Sequence, residues 1–249
     1  MLNMRKDNAR TSNKQRIKPK HKLSFSTAIA TFALSGLSYL SLPLSVSSLI
    51  SIGLFPGTAS AKESQQSEWS YIEQAVISEH NQIRQNPQSY IPLLENYLDR
   101  MTTEGLVIHG CGQGCVLVTQ ESRAAVEEAI AFLRTQSSVD PIQTSVPVAR
   151  AAKALAQEQQ NGQTGHISVD GNSFLQRLER FGVRSSRLGE NISYGATSAQ
   201  DVIMRLLIDD GVLGREHRTN LFAPSWDKAG AGCGSHATYQ IVCVIDYAD

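Results

Sequence analysis

Tyr239-Gln-Ile-Val-Cys-Val-Ile-Asp-Tyr247 is the stretch that settles the fold class. Ile241, Val242, Val244 and Ile245 are β-branched and fit a pleated surface better than a helix. Just upstream, Ala229–Cys233 forms a second strand, and the two are joined across a short hairpin. Further back, Glu190-Asn-Ile-Ser-Tyr194 reads as a third short strand. Before it, apolar residues recur at helical spacing. Ile72, Val76, Ile77, His80 and Ile83 make one stripe from Trp69 to the stop at Pro87. A second helix is expected over 88–100, with Tyr90, Leu93, Leu94, Tyr97 and Leu98 inward. A third runs near 121–136. A fourth covers 147–160, with Pro147 in its first turn. Two more follow at 172–181, ended by Gly182, and at 198–208. Helices early and strands late make an α+β domain, with helices packed on a small, mainly antiparallel sheet. Residues 102–118 form a Gly/Cys loop with short strands expected at 106–108 and 116–118. There is no internal repeat and no glycine-rich nucleotide loop.

The formal charge of the 249 residues is zero, but it is unevenly distributed. Eight of the 23 Lys/Arg and one of the 23 Asp/Glu fall in 1–61, leaving 15 against 22, a net of −7, for the rest. An acidic domain is a poor partner for phosphate backbones, so nucleic-acid binding is not expected. The N-terminal 61 residues read as an export signal. A basic region ends at Lys22, an apolar Ser-rich stretch runs from Leu23 to Phe55, and Ala59-Ser60-Ala61 fits signal peptidase. Cleavage is expected after Ala61, with 62–68 a flexible linker and 69–249 the domain. Leu23–Phe55 is also long enough to serve as an uncleaved anchor. Membrane contact is expected only through that segment. In both cases the domain is exported: secreted, periplasmic or at the cell surface.

Four cysteines in an exported chain permit three disulfide pairings. Cys233 and Cys243 flank the hairpin, and Cys111 and Cys115 share the loop His109-Gly-Cys-Gly-Gln-Gly-Cys115. The expected set is 111–115 with 233–243. Zinc bound by Cys111 and Cys115 beside His109 is the alternative.

Three His/acid islands remain: His166 in Gly-His-Ile-Ser-Val-Asp-Gly171, Glu190 in Gly189-Glu-Asn-Ile, and His217 in Arg215-Glu-His-Arg-Thr-Asn220. Singly, each has an ordinary structural explanation. Their order carries more. Glu79-His-Asn-Gln-Ile-Arg84 with Asn86-Pro87, Gly165-His166, Asp170-Gly-Asn-Ser-Phe-Leu-Gln-Arg177, Gly189-Glu-Asn-Ile-Ser-Tyr-Gly195, Glu216-His-Arg-Thr-Asn-Leu-Phe222, Gly230-Ala-Gly-Cys-Gly234 and Val244-Ile-Asp-Tyr-Ala248 follow one another. Over about 70–248 this series resembles the CAP superfamily (cysteine-rich secretory proteins, antigen 5 and pathogenesis-related proteins; the SCP domain), in its bacterial branch.

The resemblance implies an α-β-α sandwich with a central cleft. His166 and His217 would face each other there with Glu190 beside them. In several family members two such histidines hold a divalent metal, often zinc, near two glutamates. An open zinc position would keep a water, and a carboxylate such as Glu190 could orient a histidine or take a proton from that water. Leu206 stands where a family tryptophan would fall and Asp209 where the second acid would fall, with Asp210 and Glu216 as neighbours. Asn191 is a cleft residue expected to tie loop backbone to strand, and Arg218, also of the cleft, is expected with Asn220 to fix the loop that carries His217. Phe222 and Trp226 read as core, His236 as a turn residue and His80 as a buried, bonded histidine.

Three function classes follow. The first is a binding protein for a small ligand (lipid, glycan or peptide) or a divalent metal. The second is a metal-dependent hydrolase using the His/Glu cleft. The third is an extracellular interaction protein without cleft chemistry. No His-Glu-x-x-His helix and no nucleophile paired with a base is present, so binding is favoured over turnover.

Overall fold

The computed structural model describes residues 57–102, 106–108 and 116–249. Helix α1 (Gly57–Gln85) leads through a 3-10 turn (Pro87–Tyr90) into α2 (Ile91–Asp99). A hairpin of β1 (Leu106–Ile108) and β2 (Val116–Val118) precedes α3 (Arg123–Thr135). Next come β3 (Gln143–Thr144), α4 (Val146–Glu158), a 3-10 turn (Gln159–Asn161), α5 (Phe174–Arg180) and β4 (Leu188–Tyr194). The chain ends with α6 (Ala199–Ile208), α7 (Glu216–Phe222), β5 (Lys228–His236) and β6 (Gln240–Ala248). The principal sheet has the order β3-β5-β6-β4, antiparallel except for the β3–β5 pair. The fold is α+β, as expected.

Helices cover both faces of this sheet. On one, α4 packs Ala152, Leu155 and Ala156 against Ile192, Val242 and Val244. On the other, Ala231, Cys233, Cys243, Ile245 and Tyr247 meet the buried residues of α1, α2, α3 and α6. Side chains alternate along a strand, so covering both faces explains why β6 carries consecutive apolar residues from Ile241 to Ile245. Cys233 and Cys243 lie opposite each other in the β5–β6 ladder and form the expected disulfide. The expected 111–115 pairing, and its zinc alternative, lie outside the described residues, as do the apolar run 23–55 and the basic region before it. Among the described residues no helix is long and apolar enough to cross a membrane.

Two elements differ from expectation. Residues 62–68, read as a loose linker, lie within α1, as does the Ala59-Ser60-Ala61 pattern. Alanine, Lys, Glu and Gln dominate this polar stretch, and all are good helix formers with no Gly or Pro after Gly57 to stop them. Residues 216–222 are helix α7 rather than a loop, so His217 is mounted on a helix.

Helix α1 holds the rest of the domain through side chains that reach backbone. Asn81 exchanges two hydrogen bonds with the backbone of Ile142, at 3.0 and 2.8 Å. Buried Arg84 donates to the carbonyls of Asp140, Leu221 and Ala223. His80 is fully buried, its Nε2 donating to the Leu221 carbonyl at 3.0 Å while Nδ1 has no partner. Burial above all, opposed by the Leu221 carbonyl and reinforced by the Arg84 charge, pushes its pKa from 6.5 down to about 4. The ring is therefore neutral in the folded protein. The unfolded chain takes up this proton near pH 6.5 and the folded one only near pH 4. Stability is thus lost as pH falls through that window, by about 3 kcal/mol in full. His80→Gln, which keeps a donor for Leu221, is expected to flatten the slope of urea stability between pH 7 and 4. An unchanged slope would assign it to other groups.

Candidate functional site

His166 sits on the loop between α4 and α5. The residue before it, Gly165, has φ of +97°, a left-handed conformation that glycine adopts without penalty. Gly165 N donates to the Tyr194 hydroxyl at 2.9 Å, and the Gly165 carbonyl accepts from Gln159 Nε2 at 2.6 Å. The loop is thereby moored to β4. The imidazole is half-exposed, and its Nδ1 lies 2.8 Å from Oε1 of Glu190, whose side chain is buried. The other Glu190 oxygen accepts from Arg177, which is also buried. Arg177 further donates to Ser168 Oγ at 3.1 Å. Its helix, α5, begins with a capping box in which Ser173 and Gln176 satisfy each other's backbone amides.

Asp246 pairs with Glu190 across the β4–β6 ladder and is fully buried. Neither of its oxygens meets a donor. Burial first, then the charge and hydrogen bonding of the Glu190 carboxylate, push its carboxyl well above the usual range. Burial beside a second carboxylate thus favours the neutral form of Asp246. One guanidinium and one carboxylate then balance in a dry interior.

His217 is built differently. Asp209 ends α6 in a left-handed conformation, φ +57°, and is buried. Its Oδ1 lies 2.6 Å from His217 Nδ1, and its Oδ2 accepts from the backbone N–H of His217 at 2.9 Å and Arg218 at 3.2 Å. The residue before α7, Arg215, supplies no cap, so Asp209 does so from a distance. Arg218 pins α7 to the end of α6 through the carbonyls of Leu207 and Ile208 and through Glu128. Asn191 donates to the His217 carbonyl at 3.0 Å and accepts from Asn220 at 2.9 Å. Asp210 turns away to cap the start of α3 through the amides of Gln120 and Glu121.

The two histidines are brought together. His166, Glu190, Glu216 and His217 line one cavity of about 580 Å³, with Phe174 and Asn220 also in its wall. Each ring has its Nδ1 committed to a buried carboxylate. The carboxylate accepts, so Nδ1 carries the hydrogen and Nε2 is left as the nitrogen with a lone pair. Asp209, Asn191 and Arg218 do not line this cavity and act through the placement of His217. Among the described residues no cluster of three or more His, Cys, Asp or Glu is placed to hold a metal ion.

No motif or spacing in the sequence gives Arg177 or Asp246 a role. Both carried a signal. Arg177 stands between Phe174, Leu178 and Phe181 on the apolar side of α5, and Asp246 interrupts the apolar run of β6. His236 is buried at the end of β5. Its Nε2 donates to the Gln163 carbonyl, and its Nδ1 accepts from Thr238 and Tyr239, so it staples the β5–β6 turn.

The fold and site define an α+β domain whose cleft joins two carboxylate-backed histidines across the edge of a four-stranded sheet. Residues 77–247 match the CAP family, described as the cysteine-rich secretory protein family. The chain belongs to that family. No curated protein matches it in sequence. Similar solved structures include an extracellular SCP-domain protein of Bacillus anthracis at 18% identity and a TM-score of 0.38, covering 52% of this chain and 39% of that one. An outer surface protein of Borrelia burgdorferi gives 18% and 0.38, covering 53% and 94%. A cysteine-rich secretory protein of Staphylococcus aureus gives 14% and 0.35, covering 55% and 42%. The chain thus spans less than half the length of the Bacillus and Staphylococcus proteins.

Proposed function

We propose that this is an exported binding protein whose His166/His217 cleft takes a small ligand with the help of an exchangeable divalent metal. The observation that carries the reading is the pair of imidazoles lining one cavity, each oriented through Nδ1 by a buried carboxylate. Carboxylate-backed histidines are the usual arrangement of zinc ligands. Two neutral imidazoles suit zinc but make a weak site by themselves, which favours a labile ion completed by water or ligand. When bound, zinc would supply a Lewis acid that attracts an oxygen or nitrogen donor of the ligand. His166 and His217 would hold it, and Glu190 and Asp209 would fix their tautomers.

The hydrolase alternative needs Glu190 as a base. Both Glu190 oxygens are engaged, by His166 and Arg177, and the side chain is buried. That supports a positioning role and favours binding without turnover. Export is supported by the N-terminal signal pattern and by the Cys233–Cys243 disulfide, since such bonds persist in oxidising compartments.

Zinc titration of the purified domain is the test. Saturable zinc binding is expected in the wild type and absent from the His166→Ala/His217→Ala variant. Equal zinc uptake by both proteins would remove the metal from this cleft. Loss in the variant with no thermal shift in the wild type would leave the ion without a structural consequence.

A further inference from the structure

Strand β4 is at the edge of the sheet, and among the described residues it pairs only with β6. Gly195 N donates to the Ile241 carbonyl, and the ladder alternates from there. Odd-numbered residues of β4 therefore bond to β6, while the backbone groups of Leu188, Glu190, Ile192 and Tyr194 point outward. The Tyr194 carbonyl is taken by Arg205 Nη1 at 3.2 Å, which closes that end. Among the described residues the main chains of Leu188, Glu190 and Ile192 make no hydrogen bond outside the ladder. Bare edges are normally blunted or covered, because they invite pairing with another chain.

Two cavities lie along this edge. The His cleft runs beside 188–190, and a second cavity of about 380 Å³ runs beside 192–194, with His217 in the wall of both. The second is lined by Tyr97, Tyr194, Tyr239, Leu206 and Ile208, an aromatic and apolar set. Ser193 also lines it. The residue is 4% exposed, and its Oγ is buried with no hydrogen-bond partner. A buried hydroxyl without a partner at a cavity wall is uncommon and calls for an explanation. A strand advances about 3.3 Å per residue, so 188–194 matches an extended segment of about six or seven residues.

We propose that the ligand of this cleft is an extended polypeptide segment that adds to the free edge of β4 as a fifth strand, crosses beside His166 and His217, and seats an aromatic side chain in the Tyr97/Tyr194/Tyr239 cavity. The proposal builds on the cleft reading above and names its ligand class. Main-chain hydrogen bonds to Leu188, Glu190 and Ile192 supply the affinity. The aromatic cavity selects the side chain, and a tyrosine hydroxyl there would give Ser193 its missing partner. Lipids and glycans have no row of alternating donors and acceptors to match the edge.

The probes are capped hexapeptides of Thr, Val and Ala carrying one Tyr at each position in turn, titrated into the full domain by fluorescence anisotropy. At least one is expected to saturate below about 1 mM. N-methylating alternate residues of that peptide separates the two edges of the added strand. One parity is expected to weaken binding about ten-fold or more, the other by less than about two-fold, because only one edge faces β4. Ile192→Pro removes one outward N–H where edge strands tolerate proline, and is expected to lose a similar factor while still binding zinc. The methylation test needs no variant, so it stands if Ile192→Pro fails to fold. No saturation by any peptide, or equal losses for both parities, would overturn the proposal. Zinc titration reads the imidazoles and methylation parity reads the β4 main chain, so the metal reading and the peptide reading can fail separately.

Discussion

Arg177→Met is expected to lower the stability of the domain by about 3–5 kcal/mol, the usual effect of breaking one partner out of a buried ion pair. Arg177 has no exposed surface, and the Glu190 side chain it contacts is 1% exposed. Without the guanidinium, the Glu190 charge is left in a dry site beside a second carboxyl group, Asp246. Its hold on His166 Nδ1 would weaken as well. Urea unfolding of the variant measures the loss. Adding Glu190→Gln to Arg177→Met should recover part of the stability, since the stranded charge is gone. A loss under about 1 kcal/mol for the single variant would mean that the pair is solvated rather than buried.

Gly232→Ala is the second large effect. A Cβ at Gly232 would stand 2.1 Å from the backbone N of Lys153, and one at Gly230 would stand 2.1 Å from the backbone N of Ala149. The obstacle is helix backbone, not the mobile end of a side chain. Helix α4 would have to lift off β5, and its packing of Ala152, Leu155 and Ala156 on the sheet would go with it. Overpacking ordinarily costs about 1–3 kcal/mol, and displacement of a whole helix should exceed that, to the point of failed folding. Gly234→Ala is the internal control. Its nearest obstacle is the Ala156 carbonyl oxygen at 3.3 Å, which a small shift relieves. Similar unfolding midpoints for the two variants would show that α4 is not held against these glycines.

Patterns that depend on local period were legible in the sequence. The β-branched run of β6 gave the strand, the hairpin cysteines gave the disulfide, and the helical stripes gave α2 through α6 close to their observed bounds. His166, His217 and Glu190 were found through the order of family motifs, and the structure sets them around one cavity. Less legible was whatever depends on approach in space. Helix α7 is a short, charged pair of turns capped by Asp209 from the end of the preceding helix, so no local signal marks its start. The polar start of α1 has the composition of a helix and also of a linker. The Arg177–Glu190–Asp246 cluster spans three elements, and only the presence of charge in apolar stretches hinted at it. Strand β3 has two residues and gains its identity from β5.

Glu190 and Asn191 are adjacent in β4, and a strand directs neighbouring side chains to opposite faces. Glu190 backs His166 on one side of the sheet, while Asn191 ties down the helix of His217 on the other. The two halves of the cleft are thus joined through a single peptide bond. Residues can be added to the loops 162–172 or 210–215 without disturbing that junction. One residue inserted between Gly189 and Glu190 would reverse both side chains at once and disconnect both histidines. The tolerance of this protein to insertion should therefore be sharply uneven, generous in those loops and absent at the Glu190-Asn191 dipeptide.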